Sequence, residues 1–245
     1  MPSLDAMRFR GVSAGWVLVA LSPLAAVIGF AVGSRLLLPI LCAAPAYAAM
    51  LVLLFTRTRS EAIAAMLLWA ALHGAIMTVL CTARPERASA IIVHGPAYWQ
   101  EMSLWVESGR GRESEPSRFL PQHLMHAAAF VGLSLATASA LSIAFGGLLM
   151  NYMAYYVAHV GIETPSHPTL AAIIAWHPWS IVRIASYVIL GVCFAEPLLT
   201  RLRGAPVDPQ PVRPWVIAGL SGLALDVGLK LILAPHWPAL LRSMR

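Results

Sequence analysis

Two apolar runs decide the fold: VSAGWVLVALSPLAAVIGFAV at residues 12–32 and LLLPILCAAPAYAAMLVLLF at residues 36–55, joined by Gly33-Ser34-Arg35. A hydrocarbon core of about 30 Å needs about 20 apolar residues as α-helix, and lipid forces each segment to satisfy its own backbone hydrogen bonds. Each run meets that length, so the pair reads as a tight transmembrane hairpin. Arg8 and Arg10 precede the first run as in a signal sequence, but a run this long with no cleavage site before the next span reads as a retained helix.

The same reading extends outward. Thr56-Arg57-Thr58-Arg59-Ser60-Glu61 is a polar turn, and Ala62–Thr82 is a third span, with Ser60 expected as its helix cap. Composition agrees over the whole chain: 245 residues, 59% apolar and 11% charged, with a mean hydropathy of +0.72. A soluble domain carries about 25% charged residues, so water-soluble and disordered classes are excluded. The expected class is all-α, a polytopic helical bundle of six or seven spans forming a single membrane domain over 1–245. Residues 12–82 are three N-terminal spans, 83–122 an aqueous or interfacial segment, and 123–245 the C-terminal spans.

Within 83–122, Tyr98, Met102, Trp105 and Val106 fall on one side of a short helix suited to lying in the membrane interface. Gly109–Ser117 reads as a polar loop, and Glu101, Glu107, Glu113 and Glu115 as its solvated acids, with a docking surface for a soluble partner as the alternative. Residues 119–161 are about twice a span with no charge between Arg118 and Glu163, which predicts either a long helix plus a re-entrant piece or two helices broken near Gly146-Gly147. Ser134, Ala138, Ser142 and Gly146, four apart, would give a small-residue face for close helix approach. Residues 162–179 carry Pro165, Pro168 and Pro178 around a seven-residue apolar run, too short to span, and read as an interfacial or re-entrant piece with Trp176 and Trp179 in a headgroup belt. Two last spans, Ser180–Leu199 and Trp215–Leu233, flank the loop Thr200–Pro214 with Arg201, Arg203 and Arg213. The positive-inside rule then favours seven spans, with 83–122 outside.

Ionisable residues inside apolar runs are the functional candidates, because each is costly in lipid. Asp226 and Lys230, the only lysine, lie four apart in the final span, where they read as an ion or substrate pathway or as a self-neutralising pair. Arg183 and Glu196 in the preceding span are possible partners, or snorkelling anchors at the helix ends. The histidines form a second set. His73 falls mid-span and needs a buried partner, His123 and His126 are an i,i+3 pair, and His159, Glu163 and His167 recur every four residues across Pro165. His73, His123, His126, His159 and Glu163 are the candidate metal or haem ligands, set against satisfied structural histidines; no cofactor is assigned. Asn151, Tyr152, Tyr155 and Tyr156 form a polar aromatic cluster that either lines a cavity or sits in the interface. Gly219-Leu220-Ser221-Gly222 reads as a helix-packing site. Cys42, Cys81 and Cys193, all inside apolar runs, give neither a disulfide framework nor a metal site.

The leading expectation is a non-enzymatic small permease or integral subunit of a larger complex in the cell membrane, with its polar site around Asp226 and Lys230. The alternatives are a metal- or haem-dependent membrane enzyme or redox subunit, and a scaffold recruiting a partner through 83–122. The lipid bilayer is the expected partner, with other membrane subunits or a second copy as candidates. Nucleic acid is not among them, because the surplus of 17 Lys and Arg over 11 Asp and Glu sits mostly between apolar runs.

Overall fold

The computed structural model describes the backbone of residues 4–245 and the side chains of residues 14–245. The Arg8 and Arg10 side chains, expected as inside anchors, lie outside the described residues. The described chain is helical: α1 Leu4–Val32, α2 Leu37–Thr56, α3 Arg59–Ala83, α4 Pro85–Ile91, α5 Gly95–Ser108, α6 Pro116–Thr137, α7 Ala140–Ile162, α8 Pro168–Ala175, α9 Pro178–Arg203, α10 Arg213–Leu233 and α11 Trp237–Arg242. Six of these, α1, α2, α3, α7, α9 and α10, are long and apolar enough to cross a membrane. The protein is an integral membrane helical bundle.

The opening hairpin forms as its sequence dictates. Gly33 takes the left-handed conformation at φ +77°, which an L side chain resists, and ends α1. The last carbonyls of α1 are then capped from outside the hairpin: Arg87 of α4 donates through Nε to Phe30 O at 2.8 Å and through Nη2 to Ala31 O, a cation where the helix dipole is negative. Helix α3 starts earlier than expected, at Arg59, because Thr58 rather than Ser60 is the cap; its Oγ1 accepts from Glu61 N–H at 3.3 Å.

Helix α6 is membrane-length at 22 residues but carries Arg118, Gln122, His123 and His126, so it falls short of the apolar six. It is joined to α7 at Ala138-Ser139, not at the expected Gly146-Gly147. Both residues are left-handed, at φ 47° and 69°, and both are buried. The small residues make this possible. Ser134 Oγ donates to Ser142 Oγ at 2.8 Å across the turn, and Ser139 Oγ donates to Gly191 O of α9 at 2.6 Å. The expected continuous small-residue face is therefore a buried reversal, with hydroxyls satisfying polar groups that apolar side chains would strand.

The short helices α4, α5, α8 and α11 gather at the bundle end where α1, α3, α7 and α10 terminate. The α5 face lies as expected, but it packs inward: Met102, Trp105 and Val106 are buried together with Tyr156, Val157 and Val160 of α7. Trp179, expected in the headgroup belt, is also buried, stacked on His177 with ring centres 4.5 Å apart. An aromatic ring gains more from such packing than from an interfacial position once neighbours supply a complementary face. The Gly219 to Gly222 segment is where α10 meets α9: a Cβ at Gly219 would lie 2.6 Å from Leu190 Cγ, and one at Gly222 2.2 Å from Ser186 Oγ.

Candidate functional site: a charged cluster above an intramembrane cavity

Asp226 and Lys230 do not pair with each other. Each is taken by a partner distant in sequence, on the same helix face. The Asp226 carboxylate receives a fork from Arg183 of α9, Nε to Oδ2 at 2.8 Å and Nη2 to Oδ1 at 3.0 Å. Antiparallel packing of α9 on α10 sets this up, since Arg183 lies near the start of one helix and Asp226 near the end of the other. A bidentate guanidinium and carboxylate is among the stronger geometries for a buried pair. The Lys230 ammonium lies 2.8 Å from Glu113 Oε2 and 4.6 Å from the centre of the Phe119 ring. Lys230 is buried, 1% exposed.

Glu113 departs from expectation. Read as one of the solvated loop acids, it instead turns into the bundle, its side chain 13% exposed. The α5 to α6 loop is thereby tied down. Gly109 and Gly111, at φ +70° and +156°, let the chain turn back on Trp105, and Arg112 is held by Glu101 at 2.9 Å. Burial by itself raises the Glu113 pKa, but the ammonium of Lys230, with Arg183 behind it, overrides burial and pulls the carboxyl down to about 2.

His123 of α6 completes the cluster. Its Nδ1 is bonded to Phe119 O at 2.9 Å, while Nε2, buried and without a hydrogen-bond partner, faces Asp226 Oδ2 at 3.6 Å, beyond hydrogen-bond reach. Below these groups is a cavity of about 110 Å³, enough for several waters, between α3, α6, α7 and α9. Tyr98, Glu113, Gln122, His123, His126, Tyr152 and Arg183 line its polar part.

The other predicted residues go elsewhere. Glu196 lies at the opposite end of α9, where it takes both Nε and Nη2 of Arg59, the latter at 2.7 Å. Arg59 is itself buried, 2% exposed; its Nη1 and Nη2 also donate to Pro211 O and Gln210 O, each at 3.1 Å, and its backbone N–H to Asp208 Oδ2 at 2.8 Å. Glu196 is thus not beside Asp226 and Lys230. His73 finds its buried partner in Asn151, Nε2 to Oδ1 at 3.0 Å, and stacks on Trp69. His126 lies edge-on to Phe145, His159 bonds Tyr155 O through Nδ1 at 2.9 Å, and the exposed Glu163 pairs with Arg245 at 2.8 Å. His73, His123, His126, His159 and Glu163 are therefore dispersed, and among the described residues no three His, Cys, Asp or Glu side chains converge as metal ligands.

Sequence reading missed Glu113, Tyr98, Gln122 and Arg59. For Glu113 and Arg59 no local signal existed, because both sit in polar turns like any solvated charge. No family model matches the chain, and no curated protein and no solved structure is similar to it.

Proposed function

We propose that the protein is a small permease of the cell membrane whose solute site is the cavity between α3, α6, α7 and α9. One observation carries the reading: two ion pairs, Arg183 with Asp226 and Lys230 with Glu113, are held beside a cavity inside a helical bundle. Ionisable groups at such depth are expensive and mark solute or ion pathways. Here they adjoin a space that a solute could fill. The pairs also leave the site close to neutral, so a polar or charged solute could exchange partners with them without isolating a charge.

The redox alternative has less support, since its ligand set is dispersed over four separate surroundings. So has the scaffold alternative, since much of 83–122 packs onto the bundle instead of standing free.

The test uses access from both faces. In a background with Cys42, Cys81 and Cys193 changed to Ala, Ser180→Cys and Ile143→Cys place a thiol towards either end of the cavity. A membrane-impermeant maleimide is applied to right-side-out and to inverted vesicles. Labelling of the cavity thiols from both faces is expected of a permease. Labelling from one face alone overturns it in favour of a one-sided receptor or complex subunit.

A further inference from the structure

Of residues 109–117, between α5 and α6, Glu113 alone lines the cavity, beside Tyr98 of α5 and Gln122 and His123 of α6. The rest of the loop stays at the surface, and no residue of 109–117 is fully buried. The loop is closed on itself. The N–H groups of Ser114 and Glu115 donate to Gly111 O at 3.1 and 3.0 Å, and Ser114 Oγ donates to Gly109 O at 3.2 Å. A compact loop bonded in this way, with little of it buried, can move as one body.

Two ion pairs hold the loop to the bundle, and they are of unequal kind. Arg112 with Glu101, at 2.9 Å, has side chains 44% and 30% exposed, so solvent screens it. Lys230 with Glu113, at 2.8 Å, has side chains 0% and 13% exposed and is the stronger hold. Breaking it strands neither ion: the carboxylate swings to water, and the ammonium keeps the Phe119 ring of α6, 4.6 Å away, as water follows. The chain also has a hinge at Gly109, which takes φ +70° and where a Cβ would meet nothing within 4 Å. The α5 side of that hinge is fixed, because Arg242 of α11 donates to Val106 O and Glu107 O. We infer that residues 109–117 are a lid over the polar part of the cavity, with Gly109 as its hinge and the Glu113 and Lys230 pair as its latch. The lid deepens the permease reading by naming the gate on one face, and it rests on that reading only in taking this cavity as the solute site.

The rate of maleimide labelling of the cavity thiols Ser180→Cys and Ile143→Cys, in vesicles and in the background without Cys42, Cys81 and Cys193, tests it. Ser117→Cys, exposed beside the lid, shows in a separate variant which vesicle face is the loop's. Glu113→Gln breaks the latch and should raise labelling from the loop face by at least about tenfold, with the rate from the opposite face unchanged. Because that variant also removes the charge facing Lys230, Gly109→Ala serves as an independent check. It keeps the ion pair and strains the closed hinge, since an L side chain resists this φ, and a rise of about tenfold from the loop face is expected. Gly204→Ala is the matched control: Gly204 has φ +72° and nothing within 4 Å of its Cβ position, but it ends α9 at the opposite end of the bundle. It imposes the same strain away from the lid and should leave both rates alone.

A rate from the loop face that neither Glu113→Gln nor Gly109→Ala raises overturns the lid. So does a rise that comes equally from both faces, or one that Gly204→Ala matches. Labelling from the loop face alone, accelerated by both lid variants, would sustain the lid while removing the permease reading. Labelling from both faces at rates that ignore the lid variants would do the reverse.

Discussion

The bundle holds two arginine and carboxylate pairs, one towards each end, and they are built differently. At the Arg59 end the accounting is closed. Every guanidinium nitrogen donates to Glu196, Gln210 or Pro211, and Asp208 accepts the backbone N–H groups of Arg59 and Gln210. The cluster ties α3 to α9 and to the loop before α10. At the Arg183 end the accounting is open: His123 Nε2 is buried without a hydrogen-bond partner, Arg183 Nη1 has none among the described residues, and both side chains line a cavity. A saturated buried pair holds helices together, whereas an unsaturated one retains binding capacity at the cost of burying polar atoms without partners.

The largest expected effect is at the closed end. Arg59→Gln removes the cation that pairs with the buried Glu196 and should cost about 3–5 kcal/mol, read as a fall in the thermal unfolding midpoint in detergent. If Arg183→Gln costs more than Arg59→Gln, the contrast between a structural and a binding cluster is broken. Glu113→Gln comes next, at about 1–3 kcal/mol. The tie to Lys230 is lost, but the flanking glycines let the loop lift and water reach the ammonium. Faster hydrogen exchange over residues 109–117, with little change in α9, is the expected readout; uniform loosening of the whole bundle would show that the loop is not a separable element.

Neutralising a whole pair sharpens the comparison. Arg183→Gln with Asp226→Asn leaves no stranded charge, so its unfolding free energy should stay within about 1 kcal/mol of the parent, yet binding at the cavity should be lost. Retained binding would place the solute elsewhere. The smallest effect is that of pH. The Glu113 carboxyl sits at about 2 against an ordinary value of 4.5, so its pair contributes fully above the ordinary value and is lost as pH falls towards about 2. The protection factor of the 109–117 loop, with the intrinsic pH dependence of amide exchange divided out, should therefore be unchanged between pH 8 and pH 5, and fall only in stronger acid. A transition near neutrality would mean that another group holds the loop.

The legibility of these features follows their range. Helix α2 and the span of α3 were readable because lipid imposes a length and an apolar content on every crossing segment, and both are local properties. Asp226, Lys230 and Arg183 were readable as costly charges in apolar runs. Their partners were not. Local reading offered Asp226 and Lys230 to each other, four apart on one helix, and the fold gave Asp226 to Arg183 and Lys230 to Glu113 instead. The reversal between α6 and α7 was misplaced for a related reason: glycine is the local sign of a chain turn, but here the turn is held by Ser134 and Ser142 bonding across it and by Ser139 finding Gly191 O of α9.

Sequence by itself determined the solvent of this protein, a count of six or seven spans and the small set of charges that had to be neutralised within them, because hydrophobic transfer acts residue by residue along the chain. Tertiary structure alone decided which charge met which, that the Glu113 side chain turned from its loop into the bundle, and that a cavity remains between α3, α6, α7 and α9. Those outcomes depend on packing and Coulomb contacts between helices far apart in sequence, and no local pattern encodes such distances.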